Sequence, residues 1–339
     1  MKRTASPAQP SLSRRLRKTL LAGMIPLAAL ATANAVWAAG DWPTKPMRLI
    51  LPAAPGGSSD PTARLLAEEM SKLLGQPIAV LNRPGAGGNV GMAEAARAEP
   101  DGYTIVLSWT GPLATNMALY KDLSFDSQKD FAPIAKVGCV PNIVAVNKDL
   151  PVNSLAEYIK LAKSRPQGLT YGSTGTGSSW HIAGAMIQQD TGARLVHVPY
   201  TSPGVATTDL MSGQLESMMP LVIMMVPYVN DGRAKGLAVM SKTRSPVLPQ
   251  VPSTAELGMP ELVSDTCFAL LAPAGVPGPI IDRLNSVANA VLADAKVKAR
   301  LEASGITVEG GSVEHLRDYI KTETARQADI VKAINAKAG

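Results

Sequence analysis

Histidine and cysteine are scarce in this chain of 339 residues, with three of the one and two of the other. That leaves no His/Cys cluster with metal-ligand spacing, and too few cysteines for a disulfide framework. Long hydrophobic runs are also missing. After residue 40 no apolar stretch approaches the ~20 residues that cross a bilayer, and the segment Leu221 to Val226 reads as short and buried. Phosphate-loop signatures fail in turn. A P-loop needs GxxxxGK followed by Ser or Thr, and no lysine follows Gly56 and Gly57. A dinucleotide loop needs GxGxxG, and Gly85-Ala86-Gly87-Gly88-Asn89-Val90 breaks that pattern at its last position. No 20-to-50-residue period repeats, which excludes a solenoid.

The formal charge of +6 invites a nucleic-acid reading, but the excess is local. Residues 1–38 hold Lys2, Arg3, Arg14, Arg15, Arg17 and Lys18 and no acid, so 27 basic and 27 acidic residues remain of the 33 and 27 in the whole chain. With no basic block left, nucleic acid is not an expected partner. The first residues read as an export signal. A basic start is followed by the apolar stretch Leu20 to Leu30, then by small residues ending Val36-Trp37-Ala38-Ala39. Ser13-Arg14-Arg15-Leu16 is similar to a twin-arginine signal, although Arg17 stands where an apolar residue is expected. The expectation is a cleaved signal over residues 1–38 and an exported, soluble chain from about residue 41, the alternative being an uncleaved anchor. Outside the bacterial cytoplasm there is no nucleotide pool, and no cofactor is expected.

The whole chain is 46% apolar, and beyond the signal it alternates short apolar strands with amphipathic helices. Strands are expected at 47–52, 77–82, 103–109, 134–147, 169–173, 194–199, 214–219, 235–240 and 266–272, and helices at 61–74, 89–98, 154–165, 179–190, 203–212, 278–296 and 313–336. Such alternation predicts an α/β protein with mostly parallel sheets covered by helices. At 339 residues two domains are expected. The extended apolar segments 134–147 and 266–272 lie far apart in sequence, and each fits a strand that crosses between two lobes. The domains are then discontinuous and share a two-strand hinge.

Three strand–loop–helix junctions carry the chemistry. "LPAAPGGSSDP", residues 51–61, puts Gly56, Gly57, Ser58, Ser59 and Asp60 between a strand and a helix. "YGSTGTGSSWH", residues 171–181, does the same with Ser173, Thr174, Gly175, Thr176, Gly177, Ser178 and Ser179. "NRPGAGGN", residues 82–89, is the third. Helix N-termini expose unpaired N–H groups with partial positive charge, and glycine lets an anion approach them closely. All three lie at carboxyl ends of strands, where open α/β sheets bind ligands. Asp60, just before Pro61, reads as a helix N-cap in preference to a ligand contact. An anion then sits above it, on Gly56 to Ser59. Two anion sites on facing lobes point to an organic carboxylate held by uncharged donors, with no arginine clamp required. Four or five hydrogen bonds of ~1.5–3 kcal/mol each, less the costs of association, give roughly micromolar binding.

A catalytic reading starts from Ser178 and Ser179 near His181, as in a secreted serine hydrolase. The GxSxG elbow is absent, and residues two or three apart at a helix start rarely make a catalytic pair. His181 is therefore expected to pack or cap, His197 to lie in a sheet, and His315 to be exposed on the last helix.

The order of motifs resembles the periplasmic receptors of tripartite tricarboxylate transporters, the Bug-type solute-binding proteins. The resemblance runs from Trp42 to about Asn335. It is carried by "WPTKPMRLILPAAPGGSSD", "LNRPGAGGNVG", "EPDGYTIVLS", "KDFAPIAKV", "LTYGSTGTGSSWHIAG", "VHVPYTSPG", "LMSGQLE", "TRSPVLPQVPSTAELGMP" and "LLAPAGVPGPIIDRLN". It implies a two-lobed type II periplasmic-binding fold that closes on its ligand, with lobe 1 over 41–138 plus 266–339 and lobe 2 over 139–265. It also implies a non-catalytic, monomeric receptor whose carboxylate is held by the loops at Pro52–Asp60 and Ser173–Ser179. Asn89, Ser108 to Thr110 and Tyr200 to Ser202, Thr201 included, border the implied cleft. The implied partners are the integral-membrane permease subunits that take up the cargo. A sensor of the same fold would use the same closed, liganded form.

The chain departs from the family pattern at several positions. An aromatic residue is usual where Ala53 stands, a basic residue and glycine where Thr201 and Ser202 stand, an acid where Pro220 stands, and tryptophan near Cys267. A smaller Ala53 and an apolar strip Met218-Met219-Pro220 point to an aromatic or long-chain carboxylate rather than citrate, the equal alternative being drift within the family that leaves the ligand unchanged. Cys139 and Cys267 fall near the two crossing strands. They read as two buried free thiols, with a hinge-stiffening disulfide as the alternative in an oxidising compartment.

Overall fold

The computed structural model of the chain describes residues 42–56 and 59–333. The export signal expected over residues 1–38 lies outside them. Two sheets organise the chain. The first runs in the order β11-β4-β10-β3-β1-β2, where β1 is Met47–Leu51, β2 Ile78–Asn82, β3 Thr104–Trp109, β4 Phe131–Pro141, β10 Asp265–Pro273 and β11 Thr307–Val308. The second runs β7-β6-β8-β5-β9, with β5 Ile143–Asn147, β6 Leu169–Ser173, β7 Leu195–Pro199, β8 Ser217–Met218 and β9 Ala234–Val239. The helices are α1 Asp60–Leu74, α2 Asn89–Ala96, α3 Asn116–Leu119, α4 Leu155–Ser164, α5 Ser179–Thr191, α6 Pro203–Ser212, α7 Val222–Asn230, α8 Gly278–Ala293, α9 Ala295–Ala303 and α10 Val313–Ala333.

The expectation of mostly parallel sheets holds only in part. β1 pairs in parallel with β2 and β3, and β6 with β7 and β8. The long strands β4 and β10 and the strand β5 pair antiparallel with their neighbours. The reason is topological: a strand that leaves one sheet for the other must run against the strand that returns.

The expected single strand over 134–147 is broken at Asn142. β4 belongs to the first sheet and β5 to the second, and the chain comes back through Ser264 into β10. Asn142 ties this passage together. Its side-chain amide donates to Met219 O at 2.6 Å, its backbone N–H donates to Ser264 O at 2.8 Å, and Met240 N–H donates to Asn142 O at 2.8 Å. One residue pair inside the crossing, Cys139 and Cys267 face each other across β4 and β10. They are joined in a disulfide, with Cα atoms 3.9 Å apart. The expectation of free thiols is thus overturned, because neighbouring antiparallel strands present directly opposed side chains.

Each helix expected from its apolar spacing forms to within a few residues, and α3, α7 and a separate α9 are additional. In α1, Leu65, Leu66, Met70 and Leu74 are buried, each worth about 1.5–3 kcal/mol relative to exposure. The helix stops at Gly75, whose φ of 72° and N–H bond to Ser71 O make a left-handed cap. The first core gathers Leu49, Leu51, Ile105, Leu107, Leu270 and Leu284, and the second Val144, Val146, Tyr158, Leu169 and Ile187. Ile330 and Val331, at the end of α10, pack into the second core, so the last helix reaches from the first sheet's elements to the second's. Two further expectations fail locally. Leu221 caps and Val222 to Val226 begin α7, rather than forming a mere buried run, and the helix expected over 278–296 ends at Ala293 before α9 begins at Ala295. No helix among the described residues is long and apolar enough to cross a membrane.

Candidate functional site

A cavity of about 510 Å³ opens where the loops of the two sheets meet. From the first sheet's side come Ala53, Ser59, Gly87, Trp109, Thr110, Thr115, Asn116 and Tyr120; from the second come Thr174, Thr176, Gly177, Ser178, Ser179 and Ile182. Leu221 and the start of β10, Ser264 to Thr266 and Phe268, line the crossing side, and Gln327 of α10 closes it. No lysine or arginine lines it among the described residues. Its wall is hydroxyls, amides and the rings of Trp109, Tyr120 and Phe268.

The loop before α5 is the better-built half. Ser178 is the N-cap: its Oγ accepts the His181 N–H at 3.3 Å and donates to Gly175 O at 2.8 Å. The amides of Ser179 and Trp180 are first-turn N–H groups with no acceptor inside the helix. Gly177 has φ of 82°, and a Cβ there would overlap the Leu119 side chain. Two histidines hold the loop from behind. His181 Nδ1 accepts the Gly177 N–H at 3.1 Å, and His197 Nε2 lies 2.5 Å from Ser173 Oγ, which in turn accepts the Gly175 N–H at 3.0 Å. The two rings are 4.2 Å apart and share the face of Tyr171. Burial pushes both imidazoles below the usual histidine range. The nearby His197 adds to the effect at His181, which falls to about 4. A neutral His181 ring is what its Nδ1 needs to accept the Gly177 N–H.

This geometry disposes of the serine–histidine pair. Ser178 Oγ meets the His181 backbone, not its ring, and among the described residues the serine that does meet an imidazole, Ser173, is fully buried.

In the first loop Asp60 is not the N-cap. It is the first residue of α1, after Ser59. Its carboxylate takes the Gly56 N–H at 3.2 Å, Arg64 Nε at 2.9 Å and Nη2 at 3.2 Å, and Asn82 Nδ2 at 3.0 Å. Arg64 first, then Asn82, hold its pKa below the ordinary carboxylate value. The cap expectation fails because a carboxylate one residue into the helix can reach back to Arg64 one turn on. Asp60 thus ties Gly56 and Asn82 to the start of α1, and Asn82 adds a bond to Ala53 O at 3.1 Å.

Of the residues expected to touch ligand, the cavity brings together Ala53, Ser59, Thr110, Thr174, Thr176, Gly177, Ser178 and Ser179. Gly57 and Ser58 lie outside the described residues. Gly56, Asp60, Asn89, Ser108, Ser173, Gly175, Tyr200 and Thr201 are absent from its lining. Asn89 instead orients Asn116, whose Nδ2 it accepts at 2.6 Å. Ser108 is fully buried in β3. Tyr200 donates to Asp209 Oδ2 at 2.8 Å. The strip Met218 to Pro220 is buried and turned away; Leu221 is the residue of that segment at the cavity. Sequence reasoning missed the wall from Gly111 to Tyr120, a π-turn running into α3, and Gln327. Thr115 Oγ1 donates to Gln327 Oε1 at 3.0 Å, a contact across 212 residues that no local signal announces.

A second chamber of about 490 Å³ lies on the other side of β4 and β10. It is lined by the disulfide and by charged side chains. Lys136 pairs with Glu309 at 2.9 Å, Arg326 pairs with Glu323 at 2.7 Å, and Asp265 borders both cavities. Among the described residues the group of potential metal ligands here is Cys139, Asp265 and Cys267, and its two sulfurs are bonded to each other.

Comparison with known proteins follows this geometry. Residues 62–336 match the family described as "Tripartite tricarboxylate transporter family receptor". The chain is 35% identical to Protein BugT of Bordetella pertussis over 300 residues, covering 88% of this chain and 92% of that one. Among solved structures, Rpa4515 of R. palustris with adipate aligns with a TM-score of 0.76 at 32% identity, over 88% of this chain and 99% of that one. MatC of Rhodopseudomonas palustris with bound malate aligns with a TM-score of 0.72 at 30% identity, over 86% and 100%.

Proposed function

The chain belongs to the tripartite tricarboxylate transporter receptor family, the Bug-type periplasmic solute-binding receptors with a two-lobed fold, and from that premise we propose what it carries and how. It captures an organic carboxylate, aromatic or long-chain rather than citrate, in the cavity between the two sheets and hands it to the membrane permease subunits of its transporter. It works as a monomer, exported with a cleaved signal over residues 1–38, and leaves its cargo chemically unchanged. Lobe 1 is taken as 41–138 plus 266–339 and lobe 2 as 139–265. The passage of the chain between sheets at Asn142 and Ser264 supports that division.

The observation that carries the reading is the composition of the cavity wall. The first-turn amide of Ser179 and the hydroxyls of Ser59, Thr174, Thr176 and Ser179 suit a carboxylate, and Trp109, Tyr120, Phe268 and Leu221 suit an apolar body. The small side chain at Ala53 leaves that body room. A neighbour that holds adipate and another that holds malate fit the same class of cargo. Thermal-shift screening of the full chain with citrate, adipate, benzoate and terephthalate tests it. Stabilisation by the long-chain or aromatic acids is expected, with mass spectrometry recovering each acid intact. Stabilisation by citrate alone, or turnover of a bound acid or ester, would overturn the reading.

A further inference from the structure

One fixed acceptor in the front cavity has no donor in the protein. Asn116, the first residue of α3, lines the cavity and is otherwise buried, with 6% of its surface exposed. Its side-chain nitrogen is engaged twice: Nδ2 donates to Gly87 O at 3.3 Å and to Asn89 Oδ1 at 2.6 Å. A backbone carbonyl only accepts, so the Gly87 contact fixes which end of the amide is nitrogen. Oδ1 is thereby turned away from Gly87 and Asn89, and it accepts no hydrogen bond among the described residues. Nor is it sealed in. The sealed, unpartnered side-chain polar atoms among the described residues are Trp42 Nε1 and the hydroxyls of Ser108, Ser127 and Ser245. Asn116 Oδ1 therefore opens on the cavity that its residue lines.

Tyr120, one helical turn on, ends at the same corner. A Cβ built on Gly87 would lie 3.5 Å from Asn116 Nδ2 and 3.6 Å from the Tyr120 hydroxyl, which also makes no hydrogen bond among the described residues. Both side chains line the cavity from the first sheet's side, whereas the 174–179 loop comes from the second. We propose that Asn116 and Tyr120 read a hydroxyl on the cargo, which is then a hydroxy acid. Its carboxylate meets the 174–179 loop, and its O–H donates to Asn116 Oδ1 and accepts from the Tyr120 hydroxyl. This rests on the reading of the front cavity as a carboxylate site.

The other polar groups of the wall say less about the ligand. The hydroxyls of Ser59, Thr174, Thr176 and Ser179 can turn to donate or to accept. The pinned amide oxygen cannot. A C–H or a methyl ether set against it leaves its lone pairs desolvated and unpaired, which costs more than the bond itself is worth. A cationic donor would need a counter-charge, and this corner is a neutral amide and a phenol; an alcohol or a phenol on the ligand needs none. The hydroxyl is a requirement added to the carboxylate of the preceding reading. A diacid that carries a hydroxyl meets it as a monoacid does.

Acids that differ only at one substituent test this on the full chain by calorimetric titration at neutral pH. The probes are benzoate, 3- and 4-hydroxybenzoate and their methyl ethers, together with hexanoate, 6-hydroxyhexanoate and 6-methoxyhexanoate. In the wild type at least one hydroxy acid is expected to bind about tenfold more tightly than its parent, and its methyl ether no more tightly than the parent. Asn116→Ala is expected to cut that gain to about twofold or less while changing the affinity for the parent acid by less than about threefold. Tyr120→Phe leaves the bonds of Asn116 to Gly87 and Asn89 in place and is expected to cut the gain about threefold. If Asn116→Ala does not fold, the wild-type ratios and Tyr120→Phe decide. Hydroxy acids that bind no better than their parents, methyl ethers that gain as much, or a gain that the folded variants leave untouched would overturn the inference while leaving a carboxylate receptor in place. Failure of every probe to bind would remove the carboxylate site itself and the inference with it.

Discussion

The two cavities on either side of β4 and β10 have nearly the same volume, about 510 and 490 Å³, and opposite chemistry. The rear one is lined by charged side chains that answer one another: Lys136 with Glu309, and Arg326 with Glu323. The front one is lined mostly by hydroxyls, amides and rings, with no lysine or arginine among the described residues. Around the crossing strands and α10 the charged groups answer one another, while the front cavity offers neutral donors. On the proposed reading such a site holds an anion without a fixed counter-ion, so its affinity depends on loop geometry more than on any single side chain.

The largest test of the contrast is at the rear. The disulfide closes a loop of sequence separation 128. Replacing Cys139 and Cys267 by serine is expected to cost about 2–4 kcal/mol of stability. The drop in denaturant midpoint with and without reductant measures it, and only the wild type should respond to reductant.

The next test is acid, and it separates the two cavities by sign. The histidines behind the front loop stay neutral in the folded protein until about pH 4 at His181, whereas the unfolded chain takes up that proton near 6.5. Their contribution is therefore intact above 6.5 and is lost as pH falls toward 4, by on the order of 2 kcal/mol. Asp265 behaves oppositely. The folded protein keeps its proton up to about 6 and the unfolded chain only to 3.8, so its ionised form costs stability above 6 and that cost is relieved on acidification. Melting curves of the wild type, His181→Asn and Asp265→Asn from about pH 4 to 8 resolve the two slopes.

Smaller effects follow at the front loop. Gly177→Ala forces a side chain into left-handed backbone and onto Leu119, which is expected to cost about 1–2 kcal/mol of stability and about tenfold in affinity for benzoate. Denaturant titration and calorimetry read the two. The smallest effect is a gain. Asp265→Asn is expected to raise the melting temperature at about pH 8 by on the order of 2–4 °C, the shift that about 1 kcal/mol gives in a protein of this size, and to change it little near pH 5.

Much of this architecture was legible in the chain. The strand–glycine–helix junctions announce themselves because glycine, serine and the helix periodicity are local signals, and both crossing segments stand out as extended apolar runs. The break at Asn142 was hidden, since the residue sits inside an apolar stretch and its role depends on Met219, Met240 and Ser264, far away in sequence. The wall from Gly111 to Tyr120 was hidden for another reason. Pro112 and the small residues around it carry no helical period, and the π-turn there is held by α10 through Thr115 and Gln327. Asp60 showed its position but not its partner, because Arg64 and Asn82 compete for the same carboxylate. Met218 and Met219 looked like cavity wall, but both went into the cores, which is where most apolar pairs on alternating faces go.

The most direct test of which cavity carries cargo is a crystal structure of the full chain grown with benzoate. The account predicts one benzoate in the front cavity, its carboxylate on the Ser179 amide and its ring against Trp109 or Phe268. Benzoate in the rear chamber, with its carboxylate on Lys242 or Arg244, would contradict it.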